Sequence, residues 1–370
     1  MAPRRVCLHP EPDTNSTKAQ LRVENSRRFL VTGGAGFLGI NLCRALLGRG
    51  AFVRSMDIAP FDYPERAAVD VHQTDIRDAA AVDRAMREVD TVVHCAAALP
   101  RSVASEILST NVTGTRIVLD SATRHGIQRF IFISSTSVYG IPDHEPIVET
   151  DPLRGIGPYG EAKVEGEQLC VDFRRAGLCV TILRPKTFVG PERLGVFELL
   201  FDWAYTGHHF PVLGTGDNPY QLLDVSDLCD AIWLCATQTR SAVDDTFNIG
   251  AGAICTMREN VQTVLDRAGH GKRAIPLPAA PAIALLALLE RLHASPLYPW
   301  IYRTASHPSV VSIEQARRCL GFEPRYSNQA ALARNYDWYV AHRDDYRHKT
   351  GDTHRVPWKK GALGIAKWFF

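Results

Sequence analysis

The chain has 370 residues, with 42 lysines and arginines, 40 aspartates and glutamates, and a formal net charge of +2. A chain of this length can bury a large core, and its balanced charge creates no overall field that would attract nucleic acid. The nine cysteines form no CxxC pair, no apolar run reaches eighteen residues, and the N-terminus lacks a secretory signal. These features predict a soluble, cytoplasmic protein with buried thiols, no metal site and no nucleic-acid partner.

The first half of the chain alternates short apolar runs with helical patterns. A polar segment over residues 1–26 predicts a flexible lead-in. The predicted strands lie at 28–32, 52–56, 69–74, 91–95, 130–134 and 179–183. The predicted helices lie at 40–47, before residue 86, at 106–125 and from 157 onwards. This alternation predicts a Rossmann-type, doubly wound parallel sheet, whose strand C-terminal ends meet at one ligand-binding edge.

The regular alternation ends near residue 190. Helical patterns follow at 196–205, 226–236, 257–268, 279–292, 312–320 and 328–342, with short strands at 222–225 and 247–249. We therefore expect an α/β domain over 27–190 and a smaller, mostly helical substrate lobe over 191–343, with a possible return of the chain to the sheet. Residues 344–370 form a basic and aromatic C-terminal tail.

Three glycines separate the first predicted strand from the first predicted helix, in the pattern G-x-x-G-x-x-G. Glycine is required where the chain turns tightly, where backbone approaches a pyrophosphate, and where a helix packs closely on a strand. The helix N-terminus then offers free N–H groups and a partial positive charge to phosphates. This pattern predicts a dinucleotide site. The loop residues that we assign to the cofactor are Gly33, Gly36, Phe37, Leu38 and Gly39.

An acid follows the second strand, eighteen residues after the last glycine of the loop. This residue, Asp57, would bind both ribose hydroxyls and repel a 2′-phosphate, which favours NAD over NADP. Arg54 lies near enough in sequence to leave NADP open. Other cofactor candidates lie at predicted strand ends, where Asp75 and Ile76 would flank the adenine and small residues would line the cofactor's path. These candidates are Asp75, Ile76, Ala96, Ala97 and Pro185.

Hydroxyl, phenol and ammonium groups gather around the fifth predicted strand. The strand opens into the hydroxyls of residues 134–137, and Gly157-Pro158 gives a helix-start signal further along. On that helix Tyr159 and Lys163 are four residues apart, so they share one face. Together these groups can move a proton onto or off an alcohol oxygen.

These motifs resemble the extended short-chain dehydrogenase/reductase family, which includes nucleotide-sugar epimerases and 3β-hydroxysteroid dehydrogenases. The resemblance covers about 150 residues in the right order. The matching pieces are TGGAGFLG at 32–39, Asp57, DIRD from Asp75, CAAA at 95–98, Asn111, SSTSVYG at 134–140, YGEAK at 159–163, and Arg184-Pro185.

The resemblance implies roles for the polar groups around the fifth strand. It makes Tyr159 the general acid/base and Lys163 the residue that holds the nicotinamide ribose. A free phenol has a pKa near 10, so it needs a neighbouring cation to act near neutrality. The resemblance also assigns Ser135, four residues before the tyrosine of VYG, to hold the substrate oxygen. We interpret Ser134 and Ser137 as turn and capping hydroxyls.

Departures from the family pattern reduce the number of candidate reactions. Dehydratases carry an acidic pair where this chain has Thr136-Ser137, and sugar-acid decarboxylases carry an acid at the second position. Nucleotide-sugar enzymes have an asparagine where Thr187 stands, after Lys186, and an arginine where Tyr220 stands. Net elimination and decarboxylation are therefore disfavoured. The substrate candidates are Thr136, Lys186, Thr187 and Tyr220.

Two catalytic hypotheses remain, together with a non-catalytic one that the intact Ser-Tyr-Lys set disfavours. The first is an NAD-dependent oxidoreductase that interconverts a secondary alcohol and a ketone on a bulky or lipid-like substrate. The apolar helix at 279–290 favours it, although a core helix of the second lobe would have the same composition. The alternative is an NAD-dependent sugar epimerase, which oxidises a ring carbon transiently.

Two assembly hypotheses also follow from the pattern. Apolar helices over 112–122 and 164–173 predict a homodimer. The segment WKKGALGIAKWFF at 358–370 is typical of peripheral membrane contact, but it can equally pack against the protein body.

Overall fold

The computed structural model describes residues 27–292, 297, 299–346, 351, 354–356, 366–367 and 370. The predicted lead-in over 1–26 and much of the predicted tail lie outside the described residues. In chain order the strands are β1 (Arg28–Thr32), β2 (Phe52–Asp57), β3 (Asp70–Gln73), β4 (Thr91–His94), β5 (Arg129–Ile133), β6 (Val180–Pro185), β7 (Phe188–Val189), β8 (Phe210–Leu213), β9 (Pro219–Tyr220), β10 (Leu223–Asp224), β11 (Thr246–Ile249), β12 (Cys255–Thr256) and β13 (Ala274–Leu277).

The helices are α1 (Phe37–Gly48), α2 (Ala79–Met86), α3 (Ala104–Leu108), α4 (Thr115–Arg124), α5 (Gly157–Arg175), α6 (Val196–Tyr205), α7 (Val225–Thr237), α8 (Arg240–Val243), α9 (Met257–Ala268), α10 (Ala279–Arg291), α11 (Pro299–Thr304), α12 (Glu314–Leu320) and α13 (Asn328–Tyr346). There are 3₁₀ turns at Pro64–Ala68 and Thr136–Tyr139, and a π-helical turn at Ser109–Gly114. No helix within the described residues has both the length and the apolar character that crossing a bilayer requires.

A seven-stranded parallel sheet forms the centre of the molecule, in the order β11-β6-β5-β4-β1-β2-β3. The order reverses at β1, where Val31 lies between Ser55 of β2 and Val93 of β4. Ligands of doubly wound sheets bind at such a reversal, outside the strand C-terminal ends. The predicted fold class is confirmed. The seventh strand, β11, comes from the second half of the chain.

Both faces of the sheet are covered, which explains why its central strands, such as β4 and β5, are largely apolar and buried. Successive side chains point to opposite faces, so Phe29 packs in the cluster under α1 and α7, while Leu30 packs in the cluster under α2 and α4. Both are fully buried, and each such side chain contributes roughly 1.5–3 kcal/mol relative to an exposed one. A third cluster around Phe201 and Leu332 joins α6, α9 and α13 in the second lobe.

The predicted helix over 106–125 differs from the structure, because α3 and α4 are separated by the π-helical turn. Within this turn Asn111 exchanges two hydrogen bonds with the backbone of Ala98, at 2.7 and 3.1 Å. A Cβ on Gly114 would lie 2.7 Å from Cδ1 of Ile76. The extra residue of the turn therefore lets the helix meet two loops at once. Such turns occur frequently at functional sites.

Candidate active site

The glycine loop joins β1 to α1 through three close backbone approaches. Gly33 has φ +71°, and a Cβ there would lie 2.7 Å from the backbone nitrogen of Ala96. A Cβ on Gly39 would lie 2.1 Å from the carbonyl oxygen of Gly33, and one on Gly36 would lie 3.2 Å from the same oxygen. Larger residues at the first and last positions would displace backbone, so the packing itself requires glycine.

The first turn of α1 matches the chemistry of a bound pyrophosphate. It has no side-chain cap and no acidic residue, so its N–H groups and its positive end face the loop. Phe37 and Leu38 are buried in the core, and the ring of Phe37 lies 5.7 Å from that of Phe188. Only the backbone of these two residues can therefore face a cofactor.

Asp57 lies beside this loop at the end of β2. Its Oδ2 accepts the N–H of Ala35 at 3.0 Å, and its Oδ1 accepts the N–H of Ala59 at 2.9 Å. Burial raises the pKa of the Asp57 carboxyl, while these N–H groups and the charge of Arg355 act in the opposite direction. Asp57, the residue predicted to bind the adenosine ribose, is thus held against the glycine loop.

Arg54 is not available to a 2′-phosphate. Its Nε donates to Asp70 at 2.7 Å, and its Nη1 donates to the carbonyl oxygens of Ala85 and Arg87 at 3.0 and 2.7 Å. The guanidinium is therefore used at the end of α2, where it completes that helix terminus. The sequence argument that kept NADP open through Arg54 is wrong.

The other predicted cofactor residues lie along the same sheet edge. The side chain of Asp75 is paired with Arg77 at 2.6 Å, and this hydrogen bond lowers the pKa of the Asp75 carboxyl. Ile76 is buried beneath the π-helical turn, and Ala96 touches Gly33. Ala97 follows in the loop after β4, and Pro185, beside β11, ends β6. Their contact with a cofactor stays a prediction.

Lys163 is brought from α5 to the end of β5. The residue is only 4% exposed, and its ammonium donates to the carbonyl oxygen of Ile133 at 2.8 Å. The nitrogen lies 5.0 Å from the ring centre of Phe132 and 5.9 Å from that of Tyr159. Burial lowers the pKa of Lys163 to about 8. The predicted Tyr-Lys pair is therefore assembled on one helix face, with the lysine anchored to the sheet.

Ser135 follows β5 directly and begins the 3₁₀ turn. Its Oγ accepts the N–H of Ser137 at 3.1 Å, which leaves its own proton to donate. Thr136 is half-buried on the same turn. The interpretation of Ser134 as a turn or capping hydroxyl is wrong. Its Oγ donates instead to Glu167 at 2.5 Å inside the protein.

The most extensive polar network of this region was missed by the sequence analysis. Arg184 donates through Nη2 to Glu167 at 2.6 Å and through Nη1 to the hydroxyl of Tyr139 at 2.7 Å. That hydroxyl donates in turn to Asn248 of β11 at 2.7 Å. Because Glu167 lies one helical turn after Lys163, the i, i+4 spacing was the available signal. The network ties α5, β6, β11 and the 3₁₀ turn after β5 together behind the candidate catalytic groups.

A buried histidine lies next to Lys163 and was also missed. His94, the last residue of β4, has Nδ1 2.7 Å from Oγ1 of Thr32 and Nε2 3.0 Å from Oγ1 of Thr115. Burial and, less strongly, the charge of Lys163 lower the pKa of His94 to about 3, so the ring is neutral. It joins β1, β4 and α4 rather than exchanging protons.

Three of the four predicted substrate residues meet beyond β6. Lys186 is 3% exposed, donates to Ser309, and lies 5.4 Å from the ring centre of Tyr220. Burial raises the pKa of the Tyr220 phenol, and the side chain of Thr187 acts in the opposite direction. Burial lowers the pKa of Lys186 to about 8, against the opposing charge of Glu145. Ser309 and Glu145 come from distant parts of the chain and carried no sequence signal.

The sheet order, the glycine loop and the Ser-Tyr-Lys set define an extended short-chain dehydrogenase/reductase. The chain matches the model of the NAD dependent epimerase/dehydratase family over residues 29–250, and it belongs to this family. Membership confirms the family resemblance and the prediction of NAD as the cofactor.

Relatives of different activity cover most of the chain. The protein y4nG of Sinorhizobium fredii is 35% identical over 91% of this chain and 84% of its own length. A dTDP-glucose 4,6-dehydratase of Streptomyces griseus is 32% identical over 85% and 94%, respectively. A 3β-hydroxysteroid dehydrogenase/Δ5→4-isomerase of Mycobacterium tuberculosis is 30% identical over 85% and 90%.

Among solved structures, MoeE5 in complex with UDP-glucuronic acid and NAD is similar, with a TM-score of 0.70 and 26% identity. The match covers 85% of this chain and 99% of MoeE5. The dehydratase and the steroid dehydrogenase share the family and not one reaction, so the reaction must be argued from the residues of this chain.

Proposed function

We propose that the protein is an NAD-dependent oxidoreductase that interconverts a secondary alcohol and a ketone. The observation that carries this proposal is the placement of the Lys163 ammonium between the carbonyl of Ile133, at the end of β5, and the ring of Tyr159. A cation in this position stabilises the phenolate form of a neighbouring tyrosine. The site therefore combines a phenol that can exchange a proton with a cation on the same helix face.

The cofactor supplies the hydride acceptor in oxidation and the hydride donor in reduction. The chain binds its pyrophosphate through the glycine loop and its adenosine ribose through Asp57. Lys163 holds the nicotinamide ribose. This assignment is supported by the close approaches at Gly33 and Gly39, which leave room for backbone and ligand but not for side chains.

The reacting oxygen is handled by two groups of this chain. Ser135 donates its hydroxyl proton to the substrate oxygen and fixes its position. During oxidation Tyr159 takes the proton of the substrate hydroxyl as the carbinol C–H bond breaks, and during reduction it returns a proton to the ketone oxygen. Net elimination of water also needs an acid at the leaving group, and Thr136 and Ser137 supply only hydroxyls.

A bulky apolar substrate is the class that the second lobe supports best. Helix α10 carries an apolar sequence, yet none of its residues is buried, and Leu285 and Leu288 are 56% and 52% exposed. Such an exposed apolar patch on the second lobe is suited to a lipophilic molecule. The steroid dehydrogenase of Mycobacterium tuberculosis adds support from a relative.

Epimerisation of a nucleotide sugar is the second candidate. It is favoured by Lys186, whose buried ammonium beside Tyr220 can offset the charge of a phosphate or carboxylate. The likeness to MoeE5, solved with UDP-glucuronic acid and NAD, supports the same candidate. In this reaction the cofactor would end each cycle unchanged.

The two candidates are separated by incubating the purified protein with NAD and two substrate panels. One panel contains sterol-like secondary alcohols, and the other contains UDP- and dTDP-sugars. We expect the absorbance at 340 nm to increase with an alcohol of the first panel, because NADH accumulates. An isomerised sugar without an increase in this absorbance would reject the oxidoreductase in favour of the epimerase.

A further inference from the structure

A segment from the C-terminal end of the chain lies on the glycine loop. Nη1 of Arg355 donates to the carbonyl oxygen of Ala35 at 2.8 Å. The hydroxyl of Tyr63 donates to the same oxygen at 2.8 Å, and the guanidinium of Arg355 lies 4.2 Å from the centre of the Tyr63 ring. The loop between the first two glycine positions is thus held by two donors that stack on each other.

Backbone hydrogen bonds fix this segment on both sides of Arg355. The carbonyl of His354 accepts the N–H of Leu194 at 2.8 Å, and the carbonyl of Val356 accepts the N–H of Gly195 at 3.3 Å. The imidazole of His354 is half-buried, and its desolvation, together with the charge of Arg193, lowers its pKa well below the ordinary value and keeps it neutral. The position of Arg355 is therefore set by main chain and burial, and not by a flexible side chain alone.

Arg355 also acts on the predicted ribose ligand. The backbone N–H of Ala35 donates to the Asp57 carboxylate, and the backbone carbonyl of Ala35 accepts from the Arg355 guanidinium. The two charged groups are therefore linked through the backbone of one residue. The positive charge of Arg355 opposes the rise in the pKa of Asp57 that burial causes. The nearby Arg44 is used differently, because it is paired with Glu65 and Glu192.

We propose that Arg355 is a specificity-determining residue of the cofactor site, contributed by the C-terminal segment. Asp57 repels a 2′-phosphate on the adenosine ribose, and the cation of Arg355 at the same edge reduces that repulsion. The ratio of NAD to NADP affinity is then set by the Asp57–Arg355 pair. The inference rests on the proposed assignment of the glycine loop and Asp57 to the cofactor, and it is independent of the substrate.

The test uses the full-length protein and isothermal titration with NAD and with NADP. The variants are Arg355→Gln, Arg355→Lys, Asp57→Asn and the double variant Asp57→Asn/Arg355→Gln. We expect wild type to prefer NAD, and Arg355→Gln to weaken NADP binding by about tenfold more than NAD binding. Arg355→Lys keeps the charge and should keep most of the NADP affinity. Arg267→Gln, which breaks an ion pair with Asp337 in the second lobe, is the matched control.

The double variant keeps the proposal testable if wild type binds NADP too weakly to measure. Asp57→Asn should bring NADP into the measurable range, and adding Arg355→Gln should remove about tenfold of that gain. Equal losses of NAD and NADP affinity, or no loss at all, would show that Arg355 only anchors the segment, and would overturn the proposal. If Asp57→Asn itself changes neither affinity, the assignment of Asp57 fails instead.

Discussion

At the scale of single residues, two tyrosines near the sheet edge illustrate what burial does to chemistry. The phenol of Tyr139 is enclosed between Arg184 and Asn248, and burial raises its pKa to about 12. It is fixed in place as a protonated hydrogen-bonding group. Tyr159 instead shares a helix face with the ammonium of Lys163. We propose that proton transfer uses the second tyrosine, because the first is held as a hydrogen-bonding group inside a buried network.

Replacing Tyr159 by phenylalanine should lower kcat by about 10²–10⁴-fold, because the acid/base is removed while cofactor contacts remain. NAD affinity should stay within about threefold of wild type. The matched control is Tyr326→Phe, which removes the same oxygen in the second lobe and should leave kcat unchanged. Steady-state kinetics and NAD titration check both expectations. Full turnover by Tyr159→Phe would remove this tyrosine from the mechanism.

Cofactor affinity should depend on pH through Lys163. Its pKa is about 8 in the folded protein, so the side chain is charged below pH 8 and neutral above it. Because the charged form binds the ribose hydroxyls better, the Kd for NAD should rise by about tenfold between pH 7 and pH 9.5. Fluorescence titration at several pH values measures this change. Lys163→Met should bind NAD weakly with a flat profile, and an unchanged pH dependence in that variant would assign the titration to another group.

At the scale of elements, the sequence predicted those pieces that local patterns determine. The strands β1, β4, β5 and β6 were recognisable because each is a short, largely apolar run that is almost fully buried. The glycine loop and the start of α5 carried their own backbone signals at Gly33 and Pro158. The π-helical turn had no such signal, because it depends on Asn111 reaching the backbone of Ala98 from another loop. The strands predicted at 222–225 and 247–249 correspond to β10 and β11. The strands β8 and β13 were missed, because each depends on pairing with the other from a distant part of the chain.

The junction of β1 with α1 should be intolerant of even one added carbon. Gly39→Ala would place its Cβ 2.1 Å from the carbonyl oxygen of Gly33, so the loop must move away from its present path. We expect NAD affinity to fall by at least about tenfold. Gly48→Ala, at the end of the same helix, meets no atom within 4 Å and is the control. Equal NAD binding by both variants would contradict the assignment of this loop to the cofactor.

The buried pair of Glu167 and Arg184 should determine stability as well as the shape of the site. Glu167→Gln leaves the guanidinium without its buried anion and should cost about 3–5 kcal/mol in the free energy of unfolding. Urea unfolding followed by circular dichroism measures the loss. As a control, Asp337→Asn breaks an exposed ion pair with Arg267 and should leave unfolding nearly unchanged. A stable Glu167→Gln protein would mean that Ser134 and Tyr139 satisfy Arg184 without the carboxylate.

At the scale of the whole molecule, the candidate site combines predictable and unpredictable parts. The sheet order follows from right-handed crossovers, so the glycine loop, Asp57 and Ser135 were placed on one edge by general rules. Arg355 was beyond such rules, because 320 residues separate it from Ala35 and no periodic pattern links them. The set around Lys186 needed Ser309 in the same way.

Two described residues of the C-terminal tail contact the body of the protein. Nζ of Lys367 lies 3.0 Å from a carboxylate oxygen of Asp202, and the ring of Phe370 lies 6.0 Å from that of Trp203. The carbonyl of Phe370 accepts the N–H of His209 at 3.2 Å. These contacts favour packing against the protein body, which was the second interpretation of the tail. Peripheral membrane contact and the homodimer stay predictions.

The central claim is that hydride passes from the substrate to NAD and does not return to the same substrate molecule. It is tested most directly with a secondary alcohol deuterated at its carbinol carbon, incubated with a stoichiometric amount of NAD and analysed by mass spectrometry. The proposed oxidoreductase predicts a ketone without deuterium and reduced cofactor that carries one deuterium per turnover. Deuterium kept in an isomerised alcohol, with no reduced cofactor accumulating, would contradict the claim and identify an epimerase.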